Sequence, residues 1–542
     1  ALTTRRNGED EPMRKYEELQ RLLSEGRIGR REFIKRSTAL GLVAAIPGAL
    51  LAEEARAVAP KSGGKLRQAL RGGSNADTLF GVLGGGDTHQ VNTQWQLLSN
   101  VTEITPDGEV VGELAESWEV SDDATEWVFK LRKGVEFHDG KSLEAEDVVH
   151  SINVHRGEDS RSIGKGLVAG VEDVKADGKH TVVFKLKSGN ADFSVVLASS
   201  RFPIAPAGSM DAEWAKGNGT GPFILTHWEP GVRSATKRNP NYFKEGKPYF
   251  DEVETLHVKD VGARTSALRD GSVDAIDDPE PQTLHLLEKV PDLTIREVGG
   301  NSHYTFPMLM DTAPYDDVNV RTALKYAIDR EAMLQTLLRG HGYLGNDHPI
   351  SKAQRFYASD LPQRMYDPDK AKFHLKQAGL SELDITLWAS EIYAGGIDSA
   401  VLYKEHAAKA GINMSIEQVP TDGYWSEIWN VKPFCVSVWY GQPTEDLMFT
   451  QAFSAESAWN ETHWNNARFE KLLVEARAEL DAAKRQDMYG EMQQLIRDEG
   501  GFVCPVFRNW VVATSDKVHV PDVIGGDAPV DGNRNAERWS FA

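Results

Sequence analysis

WVFKLRKGVEFHDGKSLEAEDVVHSI, residues 127–152, is the stretch on which the fold is read. Trp127, Phe129 and Leu131 alternate with Val128, Lys130 and Arg132, the period-two pattern of a strand with one buried face. Gly134 interrupts it. His138-Asp139-Gly140 predicts a turn, because Gly takes positive φ without steric cost and the Asp side chain bonds nearby backbone. Ser142 is placed to cap a helix whose first turns carry Glu144, Glu146 and Asp147 against the positive end of the dipole. These residues give strand, turn and helix, and no chemistry.

The chain has 542 residues, 40% of them hydrophobic. That is enough for two or three cores, since single cores stop growing near about 250–300 residues. Net charge is −20. Residues 1–57 hold slightly more Lys and Arg than Asp and Glu, so the remainder is more acidic still. An acidic body argues against nucleic acid or anionic lipid as a main partner. Cys435 and Cys504 lack paired metal spacing and lie in apolar runs. They read as buried free thiols, with a disulfide as the alternative.

Residues 1–57 read as a targeting segment. Arg30-Arg31 precede Phe33-Ile34-Lys35, and the apolar run at 38–52 follows. That run is shorter than the roughly 20 residues a membrane helix needs, and Pro47 breaks it. Ala55-Arg56-Ala57 offers a small-x-small cleavage site. The pattern resembles a twin-arginine export signal, which implies a periplasmic protein. An amphipathic helix at 12–28 is the competing reading for the part ahead of the motif.

Further blocks are ELAESW at 113–118, NGTGPF at 218–223, RTSALRDGSVD at 264–274 and VNVRTALKYAIDR at 318–330. In the last, Val320, Leu324, Ala327 and Ile328 share a helical face. Gly219, Gly221 and Pro222 predict a tight crossover, not a phosphate loop, since no Walker Lys and Ser/Thr follow. Residues 63–70 and 180–187 read as strands, and 90–106 as a helix leading into a turn. Strands at 383–390 and 412–419 flank a helix near 398–410, a βαβ unit. Residues 467–499 read as amphipathic helices and 501–507 as an apolar strand, after which the chain ends in loops.

Together these blocks resemble the family 5 extracellular solute-binding proteins, the dipeptide-, oligopeptide- and nickel-binding receptors of bacterial ABC importers. Residues 127–151 fit W-x-F-x-L-R-x-G-V-x-F-H-D-G followed by A-x-D-V-x-x-S at every fixed position. The other blocks fit L-A-x-S-W, G-T-G-P-F, R-x-x-x-L-x-x-G-x-x-D and V-R-x-A-L-x-x-A-I-D-R. The resemblance implies an α/β, two-lobed periplasmic binding protein fold (type II, cluster C) with an extra subdomain on lobe I. Carried over, lobe I takes residues 64–300 with the subdomain at 98–206, lobe II takes 301–504, and 505–542 return to lobe I. It also implies a monomer that captures a small-molecule or peptide ligand by hinge closure and docks to permease subunits at the inner membrane.

Candidate ligand-binding residues follow. Residues 421–460 are rich in aromatics, among them Trp425, Trp439 and Tyr440, and aromatic walls with polar tips suit a closing site. Core packing is preferred for Trp429, Phe449 and Phe453. Trp439-Tyr440-Gly441-Gln442 occupies the place of the family motif W-x-x-D, whose Asp pairs with a peptide's amino terminus. Gln442 supplies no charge. Glu445 or Asp446 takes that role, or the ligand is not held by a free amine. Asn75, Asp77, Asp87 and His89 lie in an early loop of lobe I; His303, Tyr304 and Phe306 lie where lobe II begins. A metal chelate, opine or oligosaccharide is the alternative ligand. His150 and His155, five apart, do not share a helix face, so no metal residues are assigned. An exported hydrolase is the rival class, but G-x-S-x-G and H-E-x-x-H are missing. No catalytic residue and no cofactor is expected.

Overall fold

Alternation at residues 126–131 does form a strand. In the computed structural model, which describes residues 60–79, 87–209, 214 and 216–542, Glu126–Leu131 buries Trp127, Phe129 and Leu131. It is flanked by Ala115–Val120 and Thr181–Leu186, and Val171–Ala176 completes an antiparallel sheet of four strands. The helix Ala145–Asn153 sets Val148 and Ile152 into the same core as Phe129, Phe184 and Phe193. Ser142 does not cap this helix. It bridges back to Glu136 across the 138–140 turn, which keeps residues 142–144 out of the helix. Asp147, three positions past the actual cap, accepts the Glu144 N–H at 2.8 Å, half of a capping box.

The signature turn is held by another block. His138 Nε2 donates to the Gly221 carbonyl at 3.1 Å, and its Nδ1 accepts the Gly219 N–H at 3.4 Å. A Cβ on Gly219 would fall 2.2 Å from the Leu97 carbonyl oxygen, so only glycine fits there. The Gly221 N–H bonds that same oxygen at 3.0 Å. The helix expected over 90–106 accordingly spans Thr88–Leu97, with a short strand at Thr102–Ile104.

A mixed sheet, nine-stranded among the described residues, forms the frame. Lys65–Leu70 runs parallel to Glu252–His257 on one side and to Ala275–Asp277 on the other. Both faces of this part are buried. Leu66 and Leu70 join Val253 and Trp539 on one side, while Ala69 joins Ile276, Leu268 and Leu284 on the other. Leu293–Pro307 and Phe502–Ser515 pair antiparallel along most of their length, with Ser437–Trp439 beyond them at one edge. The strand read at 501–507 is thus 14 residues long. The expected terminal loops also contain a strand pair, Val518–His519 with Ser540–Phe541.

Leu383–Ala389 and Ile412–Gln418 pair in parallel, with the helix Gly396–Ala408 between them in sequence, as the periodicity implied. The helices Ala467–Ala478 and Ala482–Glu499 pack with Glu445–Phe453 around Phe449, Phe469 and Tyr489. Cys435 and Cys504 are buried free thiols. The proposed export segment, 1–57, lies outside the described residues. Among those described, no helix is long and apolar enough to cross a membrane.

One buried ion cluster joins residues 330, 347 and 364 to the strand Phe502–Ser515. Asp347 accepts two bonds from Arg330, at 2.5 and 2.7 Å, meets Arg364 at 2.9 Å, and takes the Cys504 N–H at 3.2 Å. Burial alone would raise its carboxyl, but Arg330 and Arg364 hold it below the ordinary range. Its contribution to stability is therefore present above the unfolded carboxyl's pKa and is lost as pH falls through the folded one. Asp347→Ala leaves two buried guanidinium groups without their carboxylate. It should lower the unfolding free energy by about 3–5 kcal/mol in denaturant titration at neutral pH. A loss below about 1 kcal/mol would show that the cluster does not stabilise the fold.

Candidate functional site

In open sheets containing parallel strands, ligands collect outside the strands' carboxyl ends. Here those ends carry Arg71, which follows Leu70, and Asp278, which follows Asp277. Asp277 is buried, accepts the Arg71 N–H at 2.8 Å and faces Arg264 at 3.3 Å. Asp278 takes an ion pair from Arg508 and a longer one, 3.5 Å, from Arg71. The Arg71 side chain reaches from there into a cavity of about 260 Å³, also lined by Arg201, Tyr440, Trp510 and Asp527. A second cavity, about 400 Å³, shares Ile104, Pro443 and Asp527 with the first and extends to Lys352, Arg355 and Glu445. The two cavities adjoin at these shared residues, and the cleft comprises both.

Most charges along the smaller cavity are matched. Arg534 bonds Glu113 at 2.7 and 3.0 Å and lies 3.9 Å over the Trp95 ring. Arg538 bonds Asp531 at 3.1 Å. Asp527 stands open to both cavities. Although its surface is exposed to that space, the cavity walls desolvate its carboxyl and raise it above the ordinary value, against the pull of Arg538.

The residues singled out in the sequence fall in different settings. Tyr440 is exposed and lines the smaller cavity. Tyr304 is buried, stacks on Tyr393 at 4.0 Å, and shares an electrostatic neighbourhood with Arg508, Asp278 and Tyr440. His303 is buried against Phe507, donates from Nδ1 to the Asn301 carbonyl at 2.9 Å, and is pushed down to about 4 by burial. Phe306 is buried in the core. Gln442 lines neither cavity; its Nε2 donates to Gln451 at 2.6 Å. Asp446 is buried and bonded to Arg477 at 3.0 Å. Trp425 is half-exposed against Trp429. Asn75 is exposed in the loop packed on Gly231, and Asp87 is exposed just ahead of the helix Thr88–Leu97. Asp77 and His89 pair with each other at 2.7 Å.

Sequence reasoning missed Glu461, which explains where Trp439 goes. Its buried carboxyl accepts from the Trp429 indole at 2.6 Å, the Trp439 indole at 2.9 Å, Ser437 at 2.9 Å and Thr305 at 3.2 Å. Burial raises its pKa and the four bonds oppose that. The donors come from separate segments, so no local spacing announces the set. Asp527 and Arg71 were missed for the same reason.

Glu445, at the wall of the larger cavity, is a buried acid raised to about 7, chiefly by burial, although the Phe356 N–H bonds it at 2.7 Å. A carboxyl raised in the folded state binds its proton there after the unfolded chain has lost it. Stability from this group therefore falls as pH climbs from about 4.3 to about 7 and stays reduced above. Glu445→Gln removes that penalty. The melting temperature of the variant relative to the parent should rise from pH 5 to pH 8; a pH-independent difference would refute the assignment.

Residues 109–461 match the family described as bacterial extracellular solute-binding proteins, family 5 Middle. The dipeptide-binding protein of Escherichia coli is 29% identical over 427 residues, 72% of this chain and 79% of that protein. Among solved structures, HbpA2 from Haemophilus parasuis superposes with a TM-score of 0.78 at 21% identity, covering 88% of this chain and 100% of that one. DppA from Helicobacter pylori, solved with the peptide STSA, gives 0.71 at 21% identity, with coverage of 89% and 99%. The two-lobed fold is theirs, and the chain belongs to family 5 of the bacterial extracellular solute-binding proteins.

Proposed function

We propose that this chain is the periplasmic capture component of an ABC importer and takes a peptide or peptide-like solute. The carrying observation is the pairing of opposite charges in one cavity: Asp527, open to the space, and Arg71, about a third exposed there. A zwitterion presents an ammonium to the first and a carboxylate to the second. Gln442, which has no charge and is bonded to Gln451, is a poor partner for that ammonium. The E. coli and H. pylori relatives are named for or solved with peptides, which supports the same class. The function is binding and not turnover.

Lobe I is assigned to 64–300 with 505–542, and lobe II to 301–504. Both crossings then fall inside the long strand pair. The register shift between Gly299 and His303 lies at the first of them and supports hinge closure there. The partner is the permease of the importer, met by a monomer after closure.

Calorimetry with di- and tripeptides, their N-acetyl derivatives, opines, metal chelates and oligosaccharides tests the ligand class. Free-amine peptides should bind, and Asp527→Asn should weaken them about thirtyfold or more, in the range of about 2–5 kcal/mol. Its effect on N-acetyl peptides should be small. Equal losses for both peptide sets would remove Asp527 from the amine's side, and binding only of a non-peptide solute would overturn the class.

Export by the twin-arginine route is proposed from Arg30 and Arg31. Replacing both by Lys should retain the protein in the cytoplasm on cell fractionation. Undiminished periplasmic protein would rule that route out.

A further inference from the structure

His89 and His257 lie beneath the turn that carries Arg71, and solute capture as proposed above uses neither. Their ring centroids are 4.0 Å apart. Nitrogens of both rings and a carboxylate oxygen of Asp77 all lie within 4.8 Å of one another. His257 is 8% exposed, and neither of its ring nitrogens has a hydrogen-bond partner among the described residues. An imidazole buried without a partner forfeits the bonds that water would give it, so something ordinarily fills such a place.

His89 is already oriented as a ligand. Its Nδ1 lies 3.2 Å from the Arg71 carbonyl oxygen, which can only accept, so Nδ1 carries the proton. Nε2 faces Asp77 Oδ2 at 2.7 Å. Asp77 Oδ2 also accepts the Ser74 N–H at 3.0 Å, which fixes the carboxylate. A backbone carbonyl behind Nδ1 is the usual support of a metal-bound histidine, and an ion would take the place of the contact that Nε2 now makes with Asp77. Gly72 and Gly73, both at φ +120°, bring backbone over the pair: a Cβ on Gly72 would fall 2.2 Å from His89 Nδ1, and one on Gly73 would fall 3.3 Å from His257 Cβ.

A second acidic group, Glu103, Glu113 and Glu537, has comparable spacing, but Lys244 and Arg534 already occupy its centre. Asp77 has no lysine or arginine ion pair among the described residues; its partner is His89.

We propose that Asp77, His89 and His257 form a structural site for one divalent transition-metal ion, bound through His89 Nε2, a ring nitrogen of His257 and an Asp77 carboxylate oxygen. Two imidazoles and a carboxylate suit zinc and its first-row neighbours, with water in the remaining position. Bond lengths of about 2.0–2.2 Å at tetrahedral angles separate donors by about 3.4 Å, so the His89–Asp77 pair opens by under about 1 Å on binding. The ion would join three segments: the loop after Lys65–Leu70, the helix Thr88–Leu97 and the end of Glu252–His257. Its consequence for the cleft is indirect, through the turn that presents Arg71.

The test uses the untagged full-length chain, stripped with a chelator and titrated with Zn(II) and then Co(II) in the absence of peptide. One ion per chain in native mass spectrometry and a higher melting temperature are expected. Competition against a chromophoric chelator should show at least a tenfold loss of affinity for His257→Gln and for Asp77→Asn. No uptake by the folded chain, or equal uptake by both variants, overturns the site and leaves His89 and Asp77 as an ion pair. If a variant fails to fold, the Co(II) spectrum of the parent decides: intense visible bands of a low-coordinate nitrogen-oxygen site support the proposal, and the weak spectrum of hydrated Co(II) overturns it. Peptide binding does not enter any of these readouts, so failure of the proposed ligand class would be seen separately.

Discussion

The antiparallel pairing of Leu293–Pro307 with Phe502–Ser515 is the constraint on which the rest depends. These strands are far apart in sequence, so closing them together costs entropy that only extensive hydrogen bonding and burial recover. Once paired, they set the neighbours on both sides. Ala275–Asp277 adds to Phe502–Ser515 and brings in the parallel strands behind it, while Ser437–Trp439 adds to Leu293–Pro307. The register puts His303 opposite both Trp439 and Phe507, and Tyr304 opposite both Val438 and Val506. Three of the cleft's lining residues are placed by this pair: Arg71 through the parallel strands, Tyr440 through the edge strand, and Trp510 directly.

Buried charge is handled by local neutralisation. Asp347 sits between Arg330 and Arg364, Arg534 among Glu103, Glu113 and Glu537, and Asp277 by Arg264. Glu461 is different, since its donors are two indoles and two hydroxyls that carry no charge. That arrangement fixes Trp429 and Trp439 by their polar edges and explains a dense aromatic cluster that does not simply line a ligand space. Gly441, at φ +79°, then turns the chain against Asn301, where no side chain fits, and delivers Tyr440 to the cavity.

Local patterning was legible in particular elements. The alternation at Trp127, Phe129 and Leu131, the helical face of Val320, Leu324, Ala327 and Ile328, and the βαβ unit at 383–418 each reflect a period that backbone geometry imposes on whichever face is buried. Boundaries were less legible. Ser142 has the chemistry of a cap, yet a bridge to Glu136 holds it outside the helix. The helix beginning at Thr88 ends at Leu97 because the glycines of a block more than 100 residues later come against its last carbonyl. Neither competition is visible within a window of a few residues.

The sequence by itself determined the family, the α/β class and the identity of most elements. Those follow from short-range periodicity, turn chemistry and blocks whose residues are contiguous. Tertiary structure alone decided which side chains meet. Asp527 shares a cavity with Arg71, Glu461 gathers donors from four positions, and Asp77, His89 and His257 converge, because strands and loops distant in the chain are brought together by pairing in the sheet. Hydrogen bonds and charge pairs act over a few ångströms in space. Nothing in the spacing of residues along the chain records that distance until the sheet has set it.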